Sequence, residues 1–133
     1  MAAAVKVLIV DDDEASLLML EYMVTTLSLE AVTATDVASA KKALAEHRPQ
    51  LAILDVMLPD GDGIAILAEI DRLKLPVVAA MLTATHDQTK LYRCNAWKPA
   101  TIFSKPLDAT LVGEWLGQQK ARIQLRECNC QIA

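Results

Sequence analysis

The sequence predicts a doubly wound α/β domain, in which a parallel sheet forms the middle of three layers and helices cover both of its faces. Apolar runs that are typical of strands alternate five times with amphipathic runs that are typical of helices. The chain has 133 residues, the size of one domain. Hydrophobic residues make up 53% of it and aromatic residues 4%, so we expect an ordinary core built from aliphatic side chains.

The first half of the chain begins with residues 5–10, which are nearly all apolar and rich in β-branched side chains, as expected of a strand that is buried on both faces. A helix follows, and its apolar face is marked by Leu17, Leu20, Val24 and Leu27. Residues 31–35 are a weaker strand. Asp36 has the side chain of an N-cap for the next helix, residues 37–47, which Pro49 ends.

The second half continues the alternation. A third strand over residues 51–54 ends at Asp55 and precedes a turn rich in glycine and proline. The next helix has its apolar face on Ile66, Leu67, Ile70 and Leu73. The remaining elements are expected to be a strand over 76–82, a short helix over 87–95, a strand over 101–104 and a last helix from Asp108. Five βα units in this order imply a parallel sheet.

The domain is expected to cover residues 1–117, because the helical pattern weakens beyond Gly117. Residues 118–133 either extend the last helix or form a linker tail. No internal repeat or low-complexity segment divides the chain.

Composition excludes several classes of function. Thirteen Lys and Arg against seventeen Asp and Glu give a net charge of −4, which argues against direct binding of nucleic acid through bulk positive charge. Three cysteines cannot form a fully paired disulfide framework, which favours a reduced, cytoplasmic location. The apolar stretch 75–86 is too short for a membrane helix, which needs about 20 residues. Residues 1–10 do not resemble a signal peptide, so we expect no membrane association.

Polar side chains follow four of the predicted strands. They are Asp11, Asp12 and Asp13 after the first strand, Asp55 after the third, Thr83 after the fourth and Lys105 after the fifth. Open α/β sheets bind ligands at the carboxyl ends of their strands. Carboxylates that lie close together repel one another unless a cation joins them, and Mg²⁺ suits a site of few oxygen ligands and a phosphate. One carboxylate could then attack phosphorus and form an aspartyl phosphate, with Lys105 and Thr83 binding the transferred oxygens.

Four motifs carry a resemblance to a known family. They are the acidic pair within residues 9–12, the segment 54–63 around Asp55, the step 82–84 and the Ser-Lys-Pro sequence at 104–106. From residue 5 to about 117 the chain resembles the receiver domain of two-component response regulators. The resemblance implies a flavodoxin-like sheet with strand order 2-1-3-4-5.

The resemblance also implies roles for individual residues. Asp55 would be the phosphoacceptor, taking its phosphoryl group from a sensor histidine kinase or a phosphotransfer protein. The implied magnesium ligands are Asp11, mainly through water, Asp12, Asp55 and the backbone carbonyl of Met57. Thr83 would bind the phosphoryl group and trigger a switch of the partner-binding surface, and Lys105 would pair with the acceptor and then with the phosphate. The Lys105–Pro106 bond is expected to be cis, and the domain would catalyse only its own phosphorylation and dephosphorylation.

The sequence departs from the family's pattern before the switch lysine. Ile102 stands where the family usually has Tyr or Phe, and a β-branched side chain cannot make the same swing, which puts the usual readout in doubt. Phe103 is adjacent but points to the other face of the strand. Pro99 is expected to restrict Lys98 to extended backbone and to end the fourth helix early. These changes alter the face formed by the fourth predicted helix, the fifth predicted strand (residues 101–104) and the last helix, through which a homodimer could form. Trp97 is a candidate partner contact on that face.

Two alternative functions stay open at this point. A receiver with an altered readout could act as an interaction module that does not depend on phosphorylation. A small phosphatase of the haloacid-dehalogenase type is also considered, because Asp11 and Asp13 have the spacing of that family's acidic pair. The short chain and the lack of that family's downstream acidic pair argue against the phosphatase.

Overall fold

A parallel sheet of five strands organises the chain, and the computed structural model describes residues 4–84 and 88–132. The strands are β1 (Lys6–Val10), β2 (Glu30–Ala34), β3 (Leu51–Asp55), β4 (Met57–Leu58), β5 (Gly61–Asp62), β6 (Val78–Thr83) and β7 (Thr101–Ser104). The large sheet has the order β2-β1-β3-β6-β7, and every neighbouring pair in it is parallel. Counting these five strands alone, the order is the expected 2-1-3-4-5.

Five helices cover the two faces of the sheet. They are α1 (Glu14–Thr26), α2 (Val37–His47), α3 (Gly63–Arg72), α4 (Gln88–Ala96) and α5 (Ala109–Ile132). Buried residues of α1 and α5 belong to one apolar cluster, and those of α2, α3 and α4 belong to the other. The doubly wound, three-layer fold is therefore confirmed.

The core consists of one apolar layer on each face of the sheet. Leu8 and Ile9 are adjacent in β1, and each is fully buried in a different layer. Successive side chains of a strand point to opposite faces, so a central strand covered on both sides must be apolar throughout. This requirement explains the apolar runs over residues 7–10 of β1 and 51–54 of β3, each of which is followed by an aspartate at the carboxyl end of the strand.

The segment predicted as a turn after β3 is more ordered than expected. Its residues form the antiparallel hairpin of β4 and β5, in which Met57 pairs with Asp62 and Leu58 with Gly61. Two-residue strands cannot be recognised from apolar alternation, because that pattern needs several residues to become visible.

The expectation for Lys98 is wrong. Its φ of 50° lies in the left-handed region rather than in extended backbone. The Lys98 N–H donates to the Asn95 carbonyl at 3.0 Å and closes the last turn after α4. A left-handed residue just beyond a helix is a common way to end it, and here this local hydrogen bond outweighs the preference imposed by Pro99.

Several further expectations concern the ends of elements. Asp36 is the N-cap of α2, as predicted, and accepts a hydrogen bond from the Ser39 N–H. The predicted start of the fourth helix at Asp87 lies outside the described residues. The last helix continues as far as Ile132. Within the described part of the chain, no helix combines the length and apolar character needed to cross a membrane.

Ile102 and Phe103 occupy opposite faces of β7, as expected. Ile102 is partly buried against the layer that contains α2, α3 and α4. Phe103 packs in the other layer, where its ring meets Trp115 edge to face with centroids 6.2 Å apart. Phe103 therefore does not replace the aromatic side chain that Ile102 lacks.

Candidate functional site

Four neighbouring strands bring the candidate residues to one edge of the sheet. Asp11 directly follows β1, Asp55 ends β3, Thr83 ends β6 and Lys105 directly follows β7. The strand ends are joined by backbone hydrogen bonds, including one of 2.8 Å from the Lys105 N–H to the Thr83 carbonyl. The Lys105–Pro106 peptide bond is cis, as expected.

Lys105 links the two buried carboxylates of this edge. Its ammonium nitrogen lies 2.8 Å from Oδ2 of Asp55 and 3.1 Å from Oδ2 of Asp11. Asp11 is fully buried and Asp55 is 4% exposed, whereas the Lys105 side chain is 20% exposed. Two carboxylates face one ammonium group, so the pair carries more negative charge than the lysine neutralises.

The electrostatics of the site follow from burial and from this lysine. Burial raises the pKa of Asp55, and the nearby charge of Asp11 acts in the same direction, while hydrogen bonds from Lys105 and the Met57 N–H oppose both effects. Burial alone would lower the pKa of Lys105, but its hydrogen bonds to Asp55 and Asp11 outweigh burial and raise it. The lysine therefore stays charged, and a further cation near Asp55 would oppose the effect of burial on the pKa of that carboxyl group.

Asp11, Asp12 and Asp55 form a donor set that fits a divalent ion. Each offers one carboxylate oxygen, and these oxygens all lie within 4.8 Å of one another. Two of the three side chains are buried and Asp12 is exposed, so the set opens to solvent on one side. A cluster of carboxylates with an open side is the environment in which Mg²⁺ keeps part of its water shell and can still meet a phosphate.

An open cavity lies in front of Asp55. Its volume is about 340 Å³, and it is lined by Asp12, Asp55, Met57, Leu58, Pro59, Ala84 and Lys105. A phosphoryl group can therefore approach the Asp55 carboxylate from solvent. The Met57 N–H donates to Oδ1 of Asp55 at 3.1 Å, which orients the carboxylate and places the Met57 backbone beside it.

Thr83 lies at the same edge with its side chain buried. It is 5% exposed and is paired in register with Ser104 of β7. Its position at the end of β6 places it between the strand that carries Asp55 and the strand that leads to Lys105. The structure thus places at one edge of the sheet the residues predicted for the metal and phosphoryl site, which are Asp11, Asp12, Asp55, Met57, Thr83 and Lys105.

Asp13 differs from its two acidic neighbours. It is the N-cap of α1, and its carboxylate accepts hydrogen bonds from the Ser16 hydroxyl at 2.8 Å and from the Ser16 N–H at 3.3 Å. These bonds lower the pKa of Asp13. The Asp13 N–H in turn donates to Oδ1 of Asp11 at 2.9 Å and fixes that carboxylate. The Asp-x-x-Ser spacing is an N-cap signal that the sequence analysis did not use.

The backbone beyond Asp55 packs closely against the acceptor. A Cβ atom on Gly63 would lie 2.3 Å from the Asp55 carbonyl oxygen, so only glycine fits there. The Gly63 N–H donates to the Val56 carbonyl at 3.0 Å, and Asp62 caps α3 by accepting from the Ala65 N–H. Glycine in this segment was predicted only as a turn former, because its close approach to the Asp55 backbone is not visible in the sequence.

The response regulator receiver domain model matches residues 7–114, and the chain therefore belongs to that family. Receiver domains are signalling modules of two-component systems, and phosphorylation and magnesium are characteristic of them.

Curated relatives include transcriptional regulators. The chain is 36% identical over 83 residues to the alkaline phosphatase synthesis transcriptional regulatory protein PhoP of Bacillus subtilis, covering 62% of this chain and 35% of that protein. It is 37% identical over 90 residues to the transcriptional regulatory protein KdpE of Mycobacterium tuberculosis, covering 68% of this chain and 40% of that protein. The chain thus spans well under half the length of these relatives.

Solved structures share the fold. The signal receiver domain of a putative Luxo repressor protein from Vibrio parahaemolyticus has a TM-score of 0.85 at 21% identity, covering 95% of this chain and 97% of that one. The receiver domain of a sensor histidine kinase from Pseudomonas aeruginosa has a TM-score of 0.77 at 22% identity, covering 87% of this chain and 97% of that one. In that neighbour a magnesium ion is coordinated in the active site cleft.

Proposed function

We propose that the chain accepts a phosphoryl group on Asp55 from the phosphohistidine of a sensor histidine kinase or a phosphotransfer protein. In this step an oxygen of the Asp55 carboxylate attacks phosphorus, the bond from phosphorus to the histidine nitrogen breaks, and the imidazole leaves with that electron pair. The observation that carries the proposal is the pairing of Asp55 with Lys105 beside two further carboxylates at an open cavity.

Each residue of the site has a proposed part in this transfer. The ionised Asp55 is already a nucleophile and needs no general base. Lys105 would move from the acceptor carboxylate to the transferred phosphoryl oxygens, and Thr83 would donate its hydroxyl to them. Asp11, Asp12, Asp55 and the Met57 carbonyl would hold Mg²⁺, which when bound neutralises the charge on the phosphoryl oxygens.

Phosphorylation would switch a partner-binding surface. The new group adds about −1.5 to −2 charges beside Thr83 and Lys105, which is enough to draw both into new hydrogen bonds. We propose that residues 1–117 form the receiver domain, with 118–133 as its helical extension, and that the face of α4, β7 and α5 takes part in homodimer or partner contacts. The acidic net charge supports protein rather than nucleic acid as the direct partner of this domain in the cytoplasm.

Two observations bear on the alternative functions. Asp13 caps α1, so the Asp11 and Asp13 pair that would serve a haloacid-dehalogenase-type phosphatase is not directed to one centre. Ile102 in place of the usual aromatic side chain favours an altered readout, and a binding module that does not depend on phosphorylation is the second candidate.

Incubation with acetyl phosphate and Mg²⁺, followed by intact mass measurement, tests the proposal. Wild type should gain one phosphoryl group, whereas Asp55→Asn and wild type in EDTA should gain none. Labelling of Asp55→Asn would contradict the assignment of the acceptor. Continuous turnover of a chromogenic phosphate ester would favour the phosphatase, and wild type that gains no phosphoryl group would favour the binding module.

A further inference from the structure

The hairpin of β4 and β5 is attached to the first turn of α2. Asp60 lies in the two-residue turn of the hairpin, and its Oδ1 accepts a hydrogen bond from the Val37 N–H at 2.7 Å. Its Oδ2 accepts a second from the Ala38 N–H at 3.1 Å. The first N–H groups of a helix have no partner within the helix and carry its positive dipole end, so a carboxylate that bridges two of them is well held.

Packing supports the same attachment. A Cβ atom on Gly61 would be in ordinary contact, at 3.5 Å, with a methyl group of the Val37 side chain. Leu58 and Val37 are both buried in the apolar layer under α2 and α3. The turn of the hairpin is therefore joined to α2 by two charged hydrogen bonds, and Leu58 of the hairpin shares an apolar layer with Val37 of α2.

The first strand of the hairpin, β4, contains Met57, whose backbone carbonyl is a proposed Mg²⁺ ligand. Met57 begins β4 directly beside the acceptor, and its N–H donates to Asp55. Only two residues lie between Met57 and Asp60, and the pairing of Met57 with Asp62 makes the intervening segment a closed unit. A shift of the Asp60 end therefore moves the Met57 carbonyl relative to the carboxylates, because the two-strand unit has few ways to bend between them.

We propose that Asp60 is a positioning residue that sets the Met57 carbonyl for Mg²⁺ by clamping the hairpin to the amino end of α2. The inference rests on the proposed function, since it assumes that Met57 contributes to the metal site. Asp60 itself does not touch the metal or the phosphoryl group. It acts through the Val37 and Ala38 amides, so its effect appears in metal affinity and in the behaviour of those amides.

The clamp works in both directions. If the attachment of Asp60 to α2 favours Mg²⁺ binding, then Mg²⁺ must strengthen that attachment by the same factor, because the two equilibria are linked. Mg²⁺ binding would therefore stabilise the hydrogen bonds at the amino end of α2, a helix that contributes no residue to the proposed metal site.

Nuclear magnetic resonance titration with Mg²⁺ tests this proposal, with hydrogen exchange of the Val37 and Ala38 amides as a second measurement. Asp60→Ala should weaken Mg²⁺ binding about tenfold, the size expected when a partner of a metal ligand is removed. Asp60→Asn keeps one acceptor oxygen, so its Mg²⁺ affinity should lie between those of Asp60→Ala and wild type. Asp36→Ala is the matched control, because Asp36 caps the same helix through Ser39 but lies outside the hairpin.

Wild type alone provides an independent readout. Saturation with Mg²⁺ should slow exchange at Val37 and Ala38 by a factor comparable to the affinity lost in Asp60→Ala. Unchanged affinity in Asp60→Ala, or an equal loss in Asp36→Ala, would overturn the clamp while leaving the metal site intact. Failure of wild type to bind Mg²⁺ at all would instead overturn the proposed function and the clamp with it.

Discussion

The two ends of the parallel strands both carry charged side chains, but for different reasons. At the carboxyl edge, where the parallel strands end, acidic side chains are buried and brought together around Lys105. At the amino edge, where the strands begin, the residues that end three helices are cationic. They are Arg48, Lys74 and Lys98, whose φ values of 47°, 55° and 50° place them in the left-handed region.

The amino edge needs no ligand to account for its charge. A cation just beyond a helix interacts favourably with the negative end of the helix dipole, and these three side chains remain exposed. The carboxyl edge is different. Some of its acids cap helices, as Asp13 and Asp62 do, but Asp11 and Asp55 are buried beside one lysine. Burial together with incomplete neutralisation, rather than the sign of the charge, therefore distinguishes a ligand site from ordinary helix capping.

Gly63→Ala should have the largest effect on stability, because the new Cβ would meet the backbone of Asp55, which cannot move aside as a side chain can. We expect a loss of about 3 kcal/mol in the free energy of unfolding. Gly117→Ala in α5 is the control, since nothing lies within 4 Å of its Cβ position, and it should stabilise by about 0.5–1 kcal/mol. Urea denaturation measures both, and equal effects would show that the carboxyl edge is not tightly packed.

Lys105→Met should have the next largest effect. It leaves Asp11 and Asp55 buried without their cation, which costs about 3–5 kcal/mol for a fully buried pair and about 2 kcal/mol here because Lys105 is partly exposed. Lys98→Met at the amino edge should change stability by less than about 0.5 kcal/mol. Urea denaturation in the presence of EDTA measures the free energy of unfolding of both variants without bound metal. A similar loss in both variants would remove the distinction between the two edges.

Substitutions of two acidic residues at the carboxyl edge should affect stability and Mg²⁺ affinity separately. Asp108 accepts hydrogen bonds from the Thr110 and Leu111 N–H groups, so Asp108→Ala should cost about 1 kcal/mol of stability and leave Mg²⁺ affinity unchanged. Asp12→Ala removes an exposed carboxylate of the donor set. It should lower Mg²⁺ affinity and change the free energy of unfolding by less than about 0.5 kcal/mol. Parallel denaturation and Mg²⁺ titration measure the two effects, and a loss of metal affinity in Asp108→Ala would count against the separation.

Ile102→Tyr should have the smallest effect on the carboxyl edge and a selective effect on the readout. The side chain packs against the layer of α2, α3 and α4 rather than against the acceptor, so labelling by acetyl phosphate should proceed as in wild type. Hydrogen exchange over α4, β7 and α5, compared before and after phosphorylation, should change more than in wild type. Phe103→Tyr on the opposite face is the control, and an equal loss of labelling and readout in Ile102→Tyr would contradict this separation.

Much of the site was predictable because its residues stand at the ends of patterned segments. Strand ends are visible in the sequence, and parallel strands must end at one edge, so the proximity of Asp55, Thr83 and Lys105 followed from local patterns and one rule of topology. The hairpin after β3 was missed because its strands have two residues each. The conformation of Lys98 was wrongly predicted because a hydrogen bond that ends α4 competes with the preference set by Pro99.

Local patterns were enough to predict the order of strands and helices along the chain, the apolar interior of the sheet and the polar residues at its carboxyl edge. Those properties depend on neighbours along the chain, through periodicity and capping. The cap formed by Asp13 is local, whereas folding was needed to bring Asp60 to the amides of α2 and to place Asp11 and Asp55 on Lys105. The contacts of Asp60, Asp11 and Asp55 join residues that are distant in sequence, and a carboxylate has the same chemistry in each of them until folding determines its burial and its partners.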